Sequence, residues 1–260
     1  MPGEFSIFYS WQSDTDGATN RHLIRSCLDV AVSKFNADVL VEDAARVDDG
    51  MAGVPGTPEV ATTMFEKIDA SSIFVADISL TGESRAGGKY FPNPNVSTET
   101  GYAAHALGWD RVIRVMNESY GPRDQLPFDE RNRRFPITYN LASLADDADG
   151  KIRATLTKNL LKALRTSEAS ELRKVERVRQ RMDVKCLTVM YDYRSQEFFS
   201  ERVWPEEQEY LRRTFELAIP RLLDLGLLFA NLSNDGQQYA YHWTYLGKKV
   251  IQKCFPSRRR

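Results

Sequence analysis

Glu99 stands in the segment Asn93-Pro-Asn-Val-Ser-Thr-Glu99-Thr-Gly-Tyr-Ala-Ala104, which opens a helix with a carboxylate. Val96, Glu99, Ala103 and Leu107 follow the three-and-four spacing of one helical face, so Glu99 interrupts an otherwise small, apolar stripe. A carboxylate in that position is the leading catalytic candidate, suited to stabilising positive charge that develops on a ligand. The plain alternative is an acid in the first turn, favoured there by the helix dipole. Asn95 is a good helix N-cap in the same segment.

The elements that must position Glu99 alternate along the chain. Residues 5–10 form a short aromatic and β-branched run, and 20–35 carry helical spacing through Leu23, Cys27, Val30, Ala31 and Lys34. A second strand is expected over 38–41, then a polar, glycine-rich loop over 42–56 and a helix over about 58–68. A third strand follows over 71–78, then a loop over 81–94, the Glu99 helix to Gly108 and a strand over 111–116. This alternation implies a parallel sheet with right-handed crossovers and a ligand site beyond the carboxyl ends of its strands. Tyr9, Ser10, Trp11, Asp77, Asn93, Asn95 and Glu99 all fall at those ends. Each also has an ordinary structural role open to it: Tyr9 in the core, Trp11 at the sheet edge, Asp77 capping a turn.

Composition narrows the classes. With 260 residues, 42% of them hydrophobic, the chain can bury a substantial core in one domain or two, and its formal net charge of -1 argues against a general polyanion binder. Cys27, Cys186 and Cys254 are far apart and odd in number, with three histidines beside them, which argues against zinc and a disulfide framework. No metal or cofactor is expected. The beginning has neither a basic stretch nor a long apolar one, and no segment approaches the roughly 20 apolar residues of a membrane span. The expectation is a soluble, cytoplasmic protein.

The elements Phe-Tyr-Ser-Trp-Gln-Ser-Asp14, Gly-Val-Pro-Gly56, Phe-Val-Ala-Asp77 and Asn-Pro-Asn-Val-x-x-Glu99-x-Gly-Tyr-Ala resemble bacterial TIR-like domains over about residues 4–140. Those domains belong to a broader group with the nucleoside 2-deoxyribosyltransferases. In the transferases an Asp stands six residues before the catalytic Glu, where this chain has Asn93, and an amide cannot act as a general acid. The resemblance implies a doubly wound parallel sheet of the TIR/flavodoxin type and hydrolysis of NAD, as substrate and not cofactor, with release of nicotinamide. It implies Glu99 as the catalytic residue, Tyr9 and Trp11 stacking on a base or nicotinamide, and Ser10, Asp77, Asn93, Asn95 and Tyr102 binding substrate. It further implies self-association, a role as an anti-phage defence effector, and a segment over 43–56 that covers the site or joins subunits. Two other readings stay open: a non-catalytic nucleotide sensor or scaffold, and a deoxyribosyltransferase. No GxGxxG follows the first strand and no Walker A is present, which argues against hydride transfer. Gly50, Gly53 and Gly56 read as a mobile loop more than a phosphate cradle.

After Met116 comes a proline-rich, charged loop over 120–134, a last strand over 135–139 and a helix over 151–164. The dense charge of 166–181 is read as the boundary between a first domain, 1–165, and a second, 182–260. In the second, helices over 184–193 and 206–225 precede a strand over 227–232, the turn Asn234-Asp-Gly236, a strand over 239–243 and a helix over 244–254. This order resembles a winged helix. Arg212, Arg213 and Arg221, with Lys248, Lys249 and Lys253, are candidate contacts to phosphates or a partner. Solvated helix faces on a protein-binding or dimerising module are the alternative, since Glu206, Glu207, Glu209 and Glu216 share the region.

Overall fold

The computed structural model describes residues 5–37, 45–48, 60–85, 87–131, 133, 135–200, 205–232 and 238–256. The chain divides into two units, Met1–Glu168 and Ala169–Arg260.

The first unit is α/β. Its elements run β1 (Ser6–Ser10), α1 (Arg21–Asn36), β2 (Arg46–Asp48), α2 (Val60–Asp69), β3 (Ile73–Asp77), β4 (Leu80–Glu83), β5 (Tyr90–Pro92) and α3 (Pro94–Ala106). They continue with β6 (Val112–Asn117), α4 (Phe128–Arg131), β7 (Ile137–Tyr139) and α5 (Lys151–Arg179), the last extending past the division. Five strands form one parallel sheet in the order β2-β1-β3-β6-β7. Counted within the sheet this is the doubly wound order 2-1-3-4-5, whose direction of winding reverses between β1 and β3.

Both faces are covered, which is why β1 and β3 read as continuous apolar runs without polar alternation. The period of two still decides which side each residue serves. Ile7, Tyr9, Val75 and Val115 pack with Leu23, Ile24 and Leu28 of α1 and Leu156 and Leu160 of α5. Phe8, Phe74, Ala76 and Met116 pack on the opposite face with Ile68 of α2 and Val96 and Ala103 of α3. The Phe8 and Phe74 rings, paired across β1 and β3, lie 5.7 Å apart and 4° from parallel. Ser10 shares the parity of Phe8 and therefore belongs to the face that α3 covers.

Three expectations change. The strand expected over 38–41 lies outside the described residues, and the strand beside β1 is Arg46–Asp48, within the stretch read as loop. Its polar residues hide it, since half-exposed edge strands need no apolar run. The loop expected over 81–94 contains the antiparallel hairpin β4–β5, with a bulge between Leu80 and Gly82. A Cβ at Gly82 would run into the Phe91 ring across the hairpin, so glycine lets that ring lie over the strand. The charged stretch 166–181 is helical through Arg179, and its Val175 and Val178 are buried in the second unit's core. The apolar residues that order it are outnumbered by charges on the exposed side.

The second unit contains α6 (Val184–Tyr193), β8 (Phe198–Ser200), α7 (Glu209–Asp224), β9 (Leu228–Leu232), β10 (Tyr239–Trp243) and α8 (Tyr245–Cys254). Its three strands form an antiparallel sheet in the order β8-β10-β9. Phe199, Tyr241 and Trp243 from that sheet meet Met190 of α6, Phe215 and Leu222 of α7, and Val250 of α8. Gly226 ends α7 with φ of 68°, and the amides of Gly226 and Leu227 return to the carbonyls of Leu223 and Leu222 at 2.9 Å. The turn Asn234-Asp-Gly236 lies outside the described residues.

Candidate active site

The carboxyl end of β1 and the second turn of α3 meet at one pair of side chains. Ser10 Oγ donates a hydrogen bond to Glu99 Oε2 at 2.5 Å. Ser10 is buried, Glu99 is partly buried, and burial pushes the Glu99 carboxyl above its ordinary range while the Ser10 hydroxyl pulls it partly back. Among the described residues Glu99 Oε1 has no hydrogen-bond partner. The pair thus consists of a carboxylate held by one oxygen, with the other oxygen uncommitted.

The helix that carries Glu99 is fixed at its start. Asn93 is its N-cap, with Oδ1 accepting from the Asn95 amide at 2.8 Å and the Val96 amide at 3.3 Å, and Pro94 takes the first helical position. Asn93 Nδ2 donates to Asp14 Oδ2 at 2.5 Å, which ties α3 to the loop following β1. Asn95, expected as cap or ligand contact, is exposed and gives only its backbone amide to this cap. Trp11, in the same loop as Asp14, is partly buried, with the Arg21 guanidinium 3.2 Å from its ring centroid. Sequence reasoning did not single out Arg21; its signal was its place at the first residue of α1.

Other expected ligands serve the framework. Tyr9 is buried on the α1 side of the sheet and donates its hydroxyl to the Arg21 carbonyl at 3.4 Å, so it does not stack at the crevice. Tyr102 turns toward α2, stacking on Phe65 with centroids 4.2 Å apart and donating to Asp69 Oδ2 at 2.7 Å. That bond pushes its phenol up to about 12. Asp77 is fully buried. Its Oδ1 accepts from the Ser79 amide at 3.0 Å and hydroxyl at 2.6 Å, and its Oδ2 from Asn20 Nδ2 at 3.0 Å. Burial raises its carboxyl, and these donors oppose the rise.

Asp77 is one node of a larger polar network at the winding reversal. Asn20 Nδ2 also donates to Ser79 Oγ, Asn117 Nδ2 donates to Asn20 Oδ1 and to the Leu141 carbonyl, and Gln12 Nε2 donates to the Ser79 carbonyl. Asn117 Oδ1 in turn accepts from the Leu141 amide. The network stitches the loops after β1, β3, β6 and β7 together beneath the candidate site. Gln12, Asn20, Ser79 and Asn117 went unremarked in the sequence because each is an ordinary loop-type residue until its partners, up to 97 positions away, are known.

The basic candidates of the second unit are largely engaged locally. Arg212 pairs with Glu216 at 3.6 Å and Arg213 with Glu209 at 3.1 Å, while Arg221 donates to the Arg181 carbonyl at 2.7 Å. Lys248 and Lys253 are exposed, and Lys249 Nζ lies 5.6 Å from the Tyr245 ring centroid. Among the described residues no group of three or more His, Cys, Asp and Glu is placed to hold a metal ion, and no helix is long and apolar enough to cross a membrane.

No known protein family matches the chain by its sequence profile, and no curated protein matches it in sequence.

Proposed function

We propose that the first unit is a TIR-like N-glycosidase that hydrolyses NAD, or a closely related N-ribosyl nucleotide, with Glu99 as its catalytic carboxylate. The observation that carries this reading is the 2.5 Å hydrogen bond from Ser10 to a half-buried Glu99 at the carboxyl edge of a doubly wound sheet. Ser10 holds Oε2, and Oε1 faces the ribose. As the C1′–N bond breaks, its electron pair moves to the nicotinamide ring, which leaves neutral. The ionised Glu99 stabilises the ribosyl cation until water adds at C1′ and loses a proton. Because nicotinamide is cationic before departure, the step needs no general acid. This suits Asn93, whose amide is committed to the helix cap and to Asp14. The same commitment counts against deoxyribosyl transfer.

The second unit is proposed as a winged-helix-like module that recruits a protein or nucleic-acid partner, on the strength of its order α6-β8-α7-β9-β10-α8. Together the units form a cytoplasmic defence effector whose activity appears on self-association or on arrival of a signal.

Nicotinamide release from NAD by wild type and Glu99→Gln, each alone and under crowding, tests the reading. Release that disappears in a folded Glu99→Gln variant supports it. Absence of release under every condition, with NAD binding retained, replaces it with the sensor reading.

A further inference from the structure

The same parallel sheet has a second concavity, at the amino ends of β6 and of the edge strand β7 and so away from Glu99. It lies against β6, β7 and α5 and has a volume of about 660 Å³, within the usual range of small-molecule pockets. Its lining joins two aromatic side chains to three cations: Trp109, Phe135, Arg114, Arg133 and Lys162, with Asn159 beside them. Trp109 and Phe135 are 37% and 63% exposed, unusual for large rings with a core available to them.

The cations are not equivalent. The buried Arg114 guanidinium is answered by Glu130, whose carboxylate and backbone carbonyl it binds. Arg133 sits over the neighbouring ring, its guanidinium carbon 3.7 Å from the Trp109 centroid. Lys162 is exposed on α5 and has no ion pair among the described residues. Against them the lining carries one acid, Asp110. Positive charge therefore exceeds negative in a concavity whose walls are aromatic. A guanidinium held over an indole offers its outer face to a further planar ring, and a guanidinium with an ammonium suits phosphate oxygens.

We propose that this concavity binds a nucleoside phosphate, its base stacked on the Trp109 and Arg133 pair and its phosphate held by Lys162 and Arg133. Asn159 offers both a donor and an acceptor to the base edge. The site is separate from the Glu99 crevice, and the proposal does not depend on the activity assigned there.

Calorimetric titration of the full chain with AMP tests it, with adenosine and ribose 5-phosphate as the ring-only and phosphate-only probes. AMP is expected to bind saturably, and each half-probe at least about tenfold more weakly. Lys162→Glu and Trp109→Ala are each expected to weaken AMP by about tenfold or more, while Glu99→Gln leaves it unchanged. Lys162 is solvent-exposed, so its replacement leaves the fold intact. Absence of saturable binding at millimolar AMP overturns the proposal. So does affinity kept within about twofold in both pocket variants, and so does loss of AMP in Glu99→Gln alone, which would place the nucleotide in the catalytic crevice.

Discussion

Asp77 and Glu99 are two carboxylates at the same edge of the same sheet, both raised by burial, and they differ in how many of their oxygens are spoken for. Asp77 is enclosed and accepts three hydrogen bonds across both oxygens. Glu99 is only partly buried and accepts one among the described residues. A buried acid whose oxygens are satisfied by protein donors is architecture, because any ligand would first have to displace those donors. An acid of the same charge with one oxygen open can meet a substrate. The contrast also shows that a raised carboxyl alone does not mark a catalytic residue.

The comparison breaks most visibly at Glu99→Gln. The amide keeps the shape and can still accept from Ser10, so nicotinamide release should fall by about 10²–10³-fold while stability stays within about 1 kcal/mol. A variant that unfolds, or one that retains activity, erases the distinction between the two acids. Asp77→Ala should do the reverse. It strands the donors of Ser79 and Asn20 in a buried setting, and urea denaturation should show a loss of about 2–4 kcal/mol.

Ser10→Ala sharpens the contrast. Removing the donor lets burial act alone, so the acid limb of kcat/KM against pH should move to higher pH. A purely structural Ser10 would lower stability without moving that limb.

Stability against pH gives a smaller effect of defined sign. With its folded pKa raised, the protonated Glu99 favours the folded state, so its stabilising contribution is complete below the unfolded value of about 4.3 and is lost as pH rises through the folded value. The difference in unfolding free energy between wild type and Glu99→Gln should therefore decline over that window and then level off. Asn93→Ala should cost about 1 kcal/mol through the lost cap, and Asn93→Asp at least as much, since it keeps the cap acceptors but replaces the donor to Asp14 with a second carboxylate.

Much of the framework was legible in single residues. The aromatic and β-branched run of Phe5 to Ser10 announced β1, and the spacing of Val96, Glu99 and Ala103 announced the face that α3 turns to the sheet. The turn-capping role of Asp77 was one of the readings open to it, but its full enclosure was not legible, because a further donor comes from Asn20, 57 positions earlier. Nothing local separates such an aspartate from one that binds a ligand. Tyr9 misled for a related reason: adjacent residues on a strand face opposite ways, and only the placement of α1 and α3 shows that Ser10, not Tyr9, reaches the helix bearing Glu99. The strand at Arg46 to Asp48 escaped notice because its residues are polar, and the hairpin at β4–β5 because a glycine interrupts it.

The Ser10–Glu99 bond joins residues 89 positions apart. Parallel strands make no local pairings, so this contact can form only after β1, β3 and α3 have docked. On a ribosome, where the chain emerges from its amino end, β1 must wait for nearly a hundred residues of synthesis before its serine finds the carboxylate. The appearance of that hydrogen bond is thus a clock for the docking of α3 on β1 and β3, before β6 and β7 need have joined the sheet, and a chain cut short of α3 carries the serine without its carboxylate.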